Sequence, residues 1–144
     1  MHRMMRPRSR GAIAYVRTAE NLFRTVARLA AHTVAGGLGI AEPFFSPERF
    51  WVDHLVLNVS DQPDQKIAWM YKTERDGTLG RIDVHRLVGS RGGVEHVREL
   101  HEFGLFTDEE YEQAFVRVGL TPTYDSTGLF GRGMYVARKA PVQE

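Results

Sequence analysis

"LFTDEEYEQAFVRVGL", Leu105 to Leu120, reads as a helix finished at both ends. Thr107 and Glu110 stand at the spacing of a capping box, in which each side chain satisfies the other residue's free backbone N–H. Phe106 and Tyr111 occupy the two positions of a hydrophobic staple, which sets how the chain enters the helix. Asp108, Glu109 and Glu110 bring negative charge to the positive end of the helix dipole. Tyr111, Ala114, Phe115 and Val118 form one apolar stripe at helical spacing, and Gly119 stops the helix. An element so fully specified belongs to a defined fold, and the rest of the chain decides which one.

The chain has 144 residues, 42% of them apolar and 26% charged, which is the balance of one globular domain. A formal charge of +1 argues against an obligate nucleic-acid binder. Arg3, Arg6, Arg8 and Arg10 all fall in the first ten residues, with no acid among them. That composition predicts a solvated, disordered basic tail over residues 1–10, ahead of a domain over residues 11–144. There is no cysteine, so disulfides and thiolate metal sites are excluded, and the chain fits a cytoplasmic setting. No apolar run approaches the roughly 20 residues that span a bilayer, so no membrane association is expected.

Thr18 can cap a helix over "AENLFRTVARLAAHTVAGG", with Leu22, Val26 and Leu29 recurring at helical spacing and Gly36-Gly37 closing it. "GAIAYV" before it is a short apolar run of strand or loop type, and "LGIAEPFF" after it reads as a short buried strand stopped by Pro43. Strand, helix and strand together suggest one unit of a parallel sheet. From Trp51 to Phe106 the texture changes to alternating runs broken by "SDQPDQ", "ERDGT" and "GSRGG". This predicts an antiparallel meander of about four strands over residues 51–106, with Asp76-Gly77 as the strongest hairpin signal. A turn at Ser90-Arg91 would set Arg86 opposite Glu95, Asp83 opposite Arg98, and His85 opposite His96. After the capped helix, "TPTY" and "GLFGRGMYVARK" read as two closing antiparallel strands.

Few residues point to chemistry. His85 and His96 alone make a poor metal site, and His101 has the opposite strand parity, so no metal is expected. There is no G-x-S-x-G elbow, Walker loop or G-x-G-x-x-G fingerprint. Two stretches stand out. In "FGRGMYV", glycines on both sides of Arg132 clear space for its guanidinium, which suits a phosphate or carboxylate; a bulged edge strand with an exposed Arg is the plainer alternative. In "EPFFSPERFW", Glu42, Phe44 and Phe45 follow the carboxyl end of a strand expected to be parallel, where open α/β sheets bind ligands; core aromatics are the plainer alternative.

The succession "GAIAYV", "ENL", "TVARLAAH", "EPFF", "DVHRLV", "HEFGLFTDEEYEQAF" and "GLFGRGMYV" resembles class I S-adenosylmethionine-dependent methyltransferases. The closest subgroup is the nucleotide-sugar amine N-methyltransferases. The resemblance covers about Gly11 to Ala137 and only the C-terminal half of that fold. It implies an α+β fold: a partial Rossmann-like methyltransferase sheet with two main helices and the inserted antiparallel meander. It implies S-adenosylmethionine as cofactor, yet the glycine-rich front that would hold it has no counterpart, which leaves open whether this chain alone binds any.

By the same resemblance, Tyr15 falls beside the methyl-transfer site as the catalytic candidate. Glu42, Phe44, Phe45 and Arg132 fall at the mouth that receives a small-molecule, amino-sugar type substrate. A homodimer through the antiparallel sheet is implied, and a companion chain supplying the missing half is a further expectation. The alternative function is a non-enzymatic module for small-molecule binding or dimerisation.

Overall fold

The capped helix is present as α2, Asp108–Arg117, in a computed structural model that describes residues 12–142. The basic tail expected over residues 1–10 lies outside the described residues. Glu110 N donates to Thr107 Oγ1 at 3.2 Å and Thr107 N donates to Glu110 Oε2 at 2.9 Å, so both halves of the capping box form. Phe106 meets Tyr111 edge-on at 5.7 Å, which completes the staple. Thr107→Ala should therefore cost about 1 kcal/mol, as a lost N-cap does. The loss would be read as a lower urea midpoint at unchanged m-value.

The chain divides into two units, residues 1–49 with 104–144, and residues 50–103. In the first, a 3₁₀ turn (Ala12–Val16) precedes α1 (Ala19–His32) and strand β1 (Leu38–Ala41). After α2 come β6 (Leu120–Asp125) and β7 (Met134–Lys139). The sheet order is β1-β7-β6, and both pairings are antiparallel.

The expected parallel strand–helix–strand unit is not what forms. "AIAYV" is a 3₁₀ turn, whose backbone groups find partners locally: Arg17 N donates to Ala14 O and Thr18 N to Val16 O. A strand there would need a neighbour to take its N–H and C=O groups. β1 pairs with β7, Leu38 against Arg138 through Ala41 against Tyr135, running antiparallel.

α1 starts as expected, with Thr18 Oγ1 accepting from Asn21 N at 3.2 Å. It stops short of Gly36-Gly37, because Thr33 turns extended while its N–H and hydroxyl bond back to Leu29 O at 3.0 and 2.7 Å. Lys139 Nζ then donates to Ala30 O and Thr33 O, both at 2.8 Å, so a cation meets the free carbonyls at the helix end. One face of the sheet carries Ala41, Ala137 and Tyr135. These pack with Leu22, Val26 and Ala30 of α1 and with Tyr111, Ala114 and Phe115 of α2 as one buried core.

The second unit is the meander: β2 (Leu55–Asp61), β3 (Gln65–Asp76), β4 (Leu79–Ser90) and β5 (Gly93–Gly104), in sequential order. The β3–β4 turn is Gly77-Thr78, with Asp76 paired to Leu79. Gly77 adopts φ 58° and Thr78 stays out of the left-handed region, so the turn follows the II′ pattern, which needs glycine only at its first central residue.

The β4–β5 turn falls at Arg91-Gly92, one residue later than Ser90-Arg91. Such a step changes facing partners by two and keeps every side chain on its face, so partners expected opposite become diagonal neighbours. Asp83 still takes a bidentate bond from Arg98, at 2.9 and 2.8 Å, which pulls its carboxyl below the ordinary range. His85 still meets His96. Arg86, expected at Glu95, pairs instead with Glu99 at 2.8 Å.

Candidate functional site

Four of the five residues singled out by the sequence sit on two segments that meet. The chain leaving β1 turns through Glu42 and Pro43 to Phe44 and Phe45, whose rings lie edge to face at 4.5 Å. The guanidinium carbon of Arg132 lies 5.2 Å from the Phe44 ring centre and 5.7 Å from that of Phe45. Both are cation–π distances, so the two rings orient the guanidinium while its planar fork of N–H groups stays exposed. An Arg anchored by its face and open at its edge is suited to a phosphate or carboxylate.

The loop between β6 and β7 presents this Arg, and it is held from below. Gly133 has φ 84° and lies against the Tyr124 ring; a Cβ there would stand 1.9 Å from Tyr124 Oη. Only glycine permits both that conformation and that approach. Tyr124 in turn packs, its ring tilted, 4.9 Å from buried Tyr135 and accepts a long hydrogen bond, 3.4 Å, from Arg49. Tyr135 Oη donates to Asp108 Oδ1 at 2.9 Å, and burial first, then this carboxylate, raise its phenol above the ordinary tyrosine range. The Arg132 loop therefore rests on the Tyr124 and Tyr135 rings, the second anchored to the first turn of α2.

Glu42 supplies the second polar feature. Its Oε1 is buried and has no hydrogen-bond partner among the described residues. Burying a carboxylate oxygen without a donor is costly, so the position calls for an N–H or O–H from elsewhere. A guanidinium fork over paired aromatic rings, with an orphaned carboxylate oxygen two residues before Phe44, is the chemistry expected for a ligand with an anionic end and a hydrogen-bond donor.

Tyr15, the fifth residue, comes from a different segment, the turn before α1. It lies half exposed on the 3₁₀ turn, at the mouth of a groove of about 740 Å³ formed with Val16, Arg17, Asn21, Arg24 and Arg28. Arg17 there adopts φ 65°, uncommon for a residue with a Cβ. The sequence reading missed Tyr124, Arg49 and this groove. Arg49 and Tyr124 are 75 positions apart, and the helix-spaced Asn21, Arg24 and Arg28 looked like an ordinary solvated face. Among the described residues, no three His, Asp or Glu side chains converge on a metal position, and no helix is long and apolar enough to cross a membrane.

No family model matches the chain. It is 34% identical over 126 residues to the dTDP-3-amino-3,4,6-trideoxy-alpha-D-glucopyranose N,N-dimethyltransferase of Streptomyces venezuelae, covering 87% of this chain and 53% of that protein. The crystal structure of Streptomyces venezuelae DesVI superposes with a TM-score of 0.85 at 32% identity, over 93% of this chain and 56% of that one. The S-adenosylmethionine-bound CalS10, an amino pentose methyltransferase from Micromonospora echinaspora, does so with a TM-score of 0.82 at 28% identity, over 90% and 55%. The chain spans about half the length of the curated relatives it matches.

Proposed function

We propose, from the premise that this chain is a relative of the class I S-adenosylmethionine-dependent sugar N-methyltransferases, that it forms the acceptor-side and dimerisation part of such an enzyme. The observation that carries this reading is Arg132 over the Phe44 and Phe45 rings, with the unmatched Glu42 oxygen on the same segment as the rings. A nucleotide-linked amino sugar matches it feature by feature. Its diphosphate suits the Arg132 fork, its ring suits the Phe44 and Phe45 faces, and its amine N–H suits the orphaned Glu42 oxygen.

When bound, S-adenosylmethionine supplies an electrophilic methyl group. The N-termini of α1 and α2 are closed by Thr18 and Thr107, and neither helix follows a parallel strand through a glycine-rich loop. The donor site is assigned to the part of the relatives that this chain does not span, provided by a companion chain or a longer protein. Within such an assembly this chain binds and orients a neutral amine, and transfer follows mainly from alignment of donor and acceptor. Tyr15 is proposed to flank the amine, positioning it or relaying the proton it loses after the C–N bond forms. A cytoplasmic location is proposed with it.

The homodimer is proposed through one face of the meander. Leu55, Leu57, Val59, Met70, Leu87 and Leu100 are all exposed. The pairings Leu57–Met70–His85 and Val59–Ala68–Leu87 set most of them on a single face. Leu100 joins them through its parity with Arg98 and Glu102, which bond across to Asp83 and Arg81. Exposed apolar area of this kind marks an interaction surface. Bases on the face are matched by acids on the same face: Lys66 with Asp61, Lys72 with Glu74, Arg81 with Glu102, Arg98 with Asp83. Asp76, which also meets Arg81, leaves acids in slight excess, a near balance that lets the face meet its own copy with little repulsion, as a twofold contact requires.

Calorimetric titration of the chain with a dTDP-linked amino sugar should give saturable binding, while S-adenosylmethionine gives none. Donor binding by the chain alone, or no nucleotide-sugar binding, overturns the reading. Nucleotide-sugar binding that yields no methyl transfer, when the part of a relative that this chain does not span is added, favours the alternative of a non-enzymatic binding module.

A further inference from the structure

We propose that acid dissociates this homodimer through a hydrogen-bonded histidine pair set in the face it buries; the inference rests on the dimer proposed above. His85 Nδ1 and His96 Nε2 stand 3.1 Å apart, with ring planes inclined by only 10° and ring centres 5.2 Å apart. That is an imidazole–imidazole hydrogen bond between β4 and β5, in which one nitrogen donates and the other accepts. It sits inside the apolar stripe, since His85 is paired with Met70 and Met70 with Leu57.

The charged neighbours are few. Asp83 Oδ1, on β4, lies 3.4 Å from His85 Nε2. Arg98 on β5 occupies both oxygens of Asp83, and Lys72 on β3 is the residue paired with Asp83. β2 contributes only Leu57 to the row of the pair.

Such a pair accepts one extra proton without breaking. The imidazolium N–H then donates to the neutral ring, and Asp83 favours the charge. A second proton puts N–H groups on both facing nitrogens, and the rings must part. On an isolated chain they part into water, because this face is open. Beneath a second copy no water is there to receive them, and an unpaired charge in an apolar contact is costly.

The doubly protonated state is thus disfavoured in the dimer, which lowers the affinity of the pair for its second proton relative to the free chain. A proton affinity lowered by association means that the dimer is most stable where the pair lacks its second proton and weakens as pH falls and that proton is taken up. Asp83, the carboxylate beside the pair, is held below the ordinary carboxyl range by its bonds from Arg98, whose guanidinium is raised in turn.

Sedimentation equilibrium on the full chain at about pH 7.5 and about pH 5.5 tests this. The dimer Kd should rise by roughly tenfold or more in acid, where linkage allows up to about a hundredfold per pH unit for two protons taken up per dimer. In His85→Phe/His96→Phe the Kd should be nearly the same at both values. An unchanged Kd in the natural chain, or an equal rise in the double variant, overturns the proposal. If the double variant does not fold, imidazole NMR of the natural chain decides. Two separated titration steps whose lower midpoint moves down with protein concentration support the pair, and independent titration at every concentration overturns it. A chain monomeric at about pH 7.5 removes the dimer itself, a different result from a dimer indifferent to acid.

Discussion

Tyr135→Ala is expected to lower the unfolding free energy by about 3–5 kcal/mol, the range for removing a buried aromatic side chain. Tyr135 is 1% exposed and stands where three aromatic residues converge: Tyr111 at 5.2 Å, Tyr124 at 4.9 Å and Phe115 at 5.8 Å. Its hydroxyl holds Asp108 in the first turn of α2. Alanine leaves a void bounded by both helices and the sheet, and the rings around it cannot all collapse inward. Since a domain of this size is stable by only about 5–15 kcal/mol, the variant should sit near its unfolding midpoint in mild denaturant. Tyr135→Phe isolates the hydrogen bond and should cost about 1.5–3 kcal/mol, because the acceptor is charged. Urea unfolding measures both, and an alanine variant within about 1 kcal/mol of the natural chain would contradict the packing described.

Arg132→Ala should leave stability nearly unchanged and weaken nucleotide-sugar binding by about 10- to 100-fold, the worth of a charge-assisted hydrogen bond. The guanidinium is exposed and contacts only ring faces, so folding loses little without it. Arg132→Lys keeps the charge but not the planar fork, and should recover only part of the affinity. The matched control is the affinity for the free sugar without its diphosphate, which should not respond to Arg132. Equal loss for both ligands would mean that Arg132 shapes the loop and does not hold the anion.

The two helices were legible because their signals are local. Thr107 and Glu110 lie three residues apart, and so do Thr18 and Asn21, within reach of one helical turn. The meander was legible for the same reason, because alternation and turn residues act over a few positions. Its register was nearly so: a turn placed one residue early kept the Asp83–Arg98 and His85–His96 contacts, since an even shift preserves faces. Arg86 changed partner because diagonal neighbours on both sides were within its reach. "AIAYV" stayed open between strand and loop because apolar residues read alike in both, and it is a turn. Whether backbone groups find a neighbour is not written in five residues.

Sequence alone determined the capped helices, the four-strand meander, the closing strands and the kinship with sugar N-methyltransferases, through spacings of a few residues and motifs of a few more. Tertiary structure alone decided that β1 runs antiparallel beside β7, that Arg132 lies over Phe44 and Phe45, and that Glu42 keeps a buried oxygen unmatched. These are contacts between positions roughly ninety residues apart in the case of Phe44 and Arg132, and long-range contacts depend on how every intervening element packs, which no local pattern encodes.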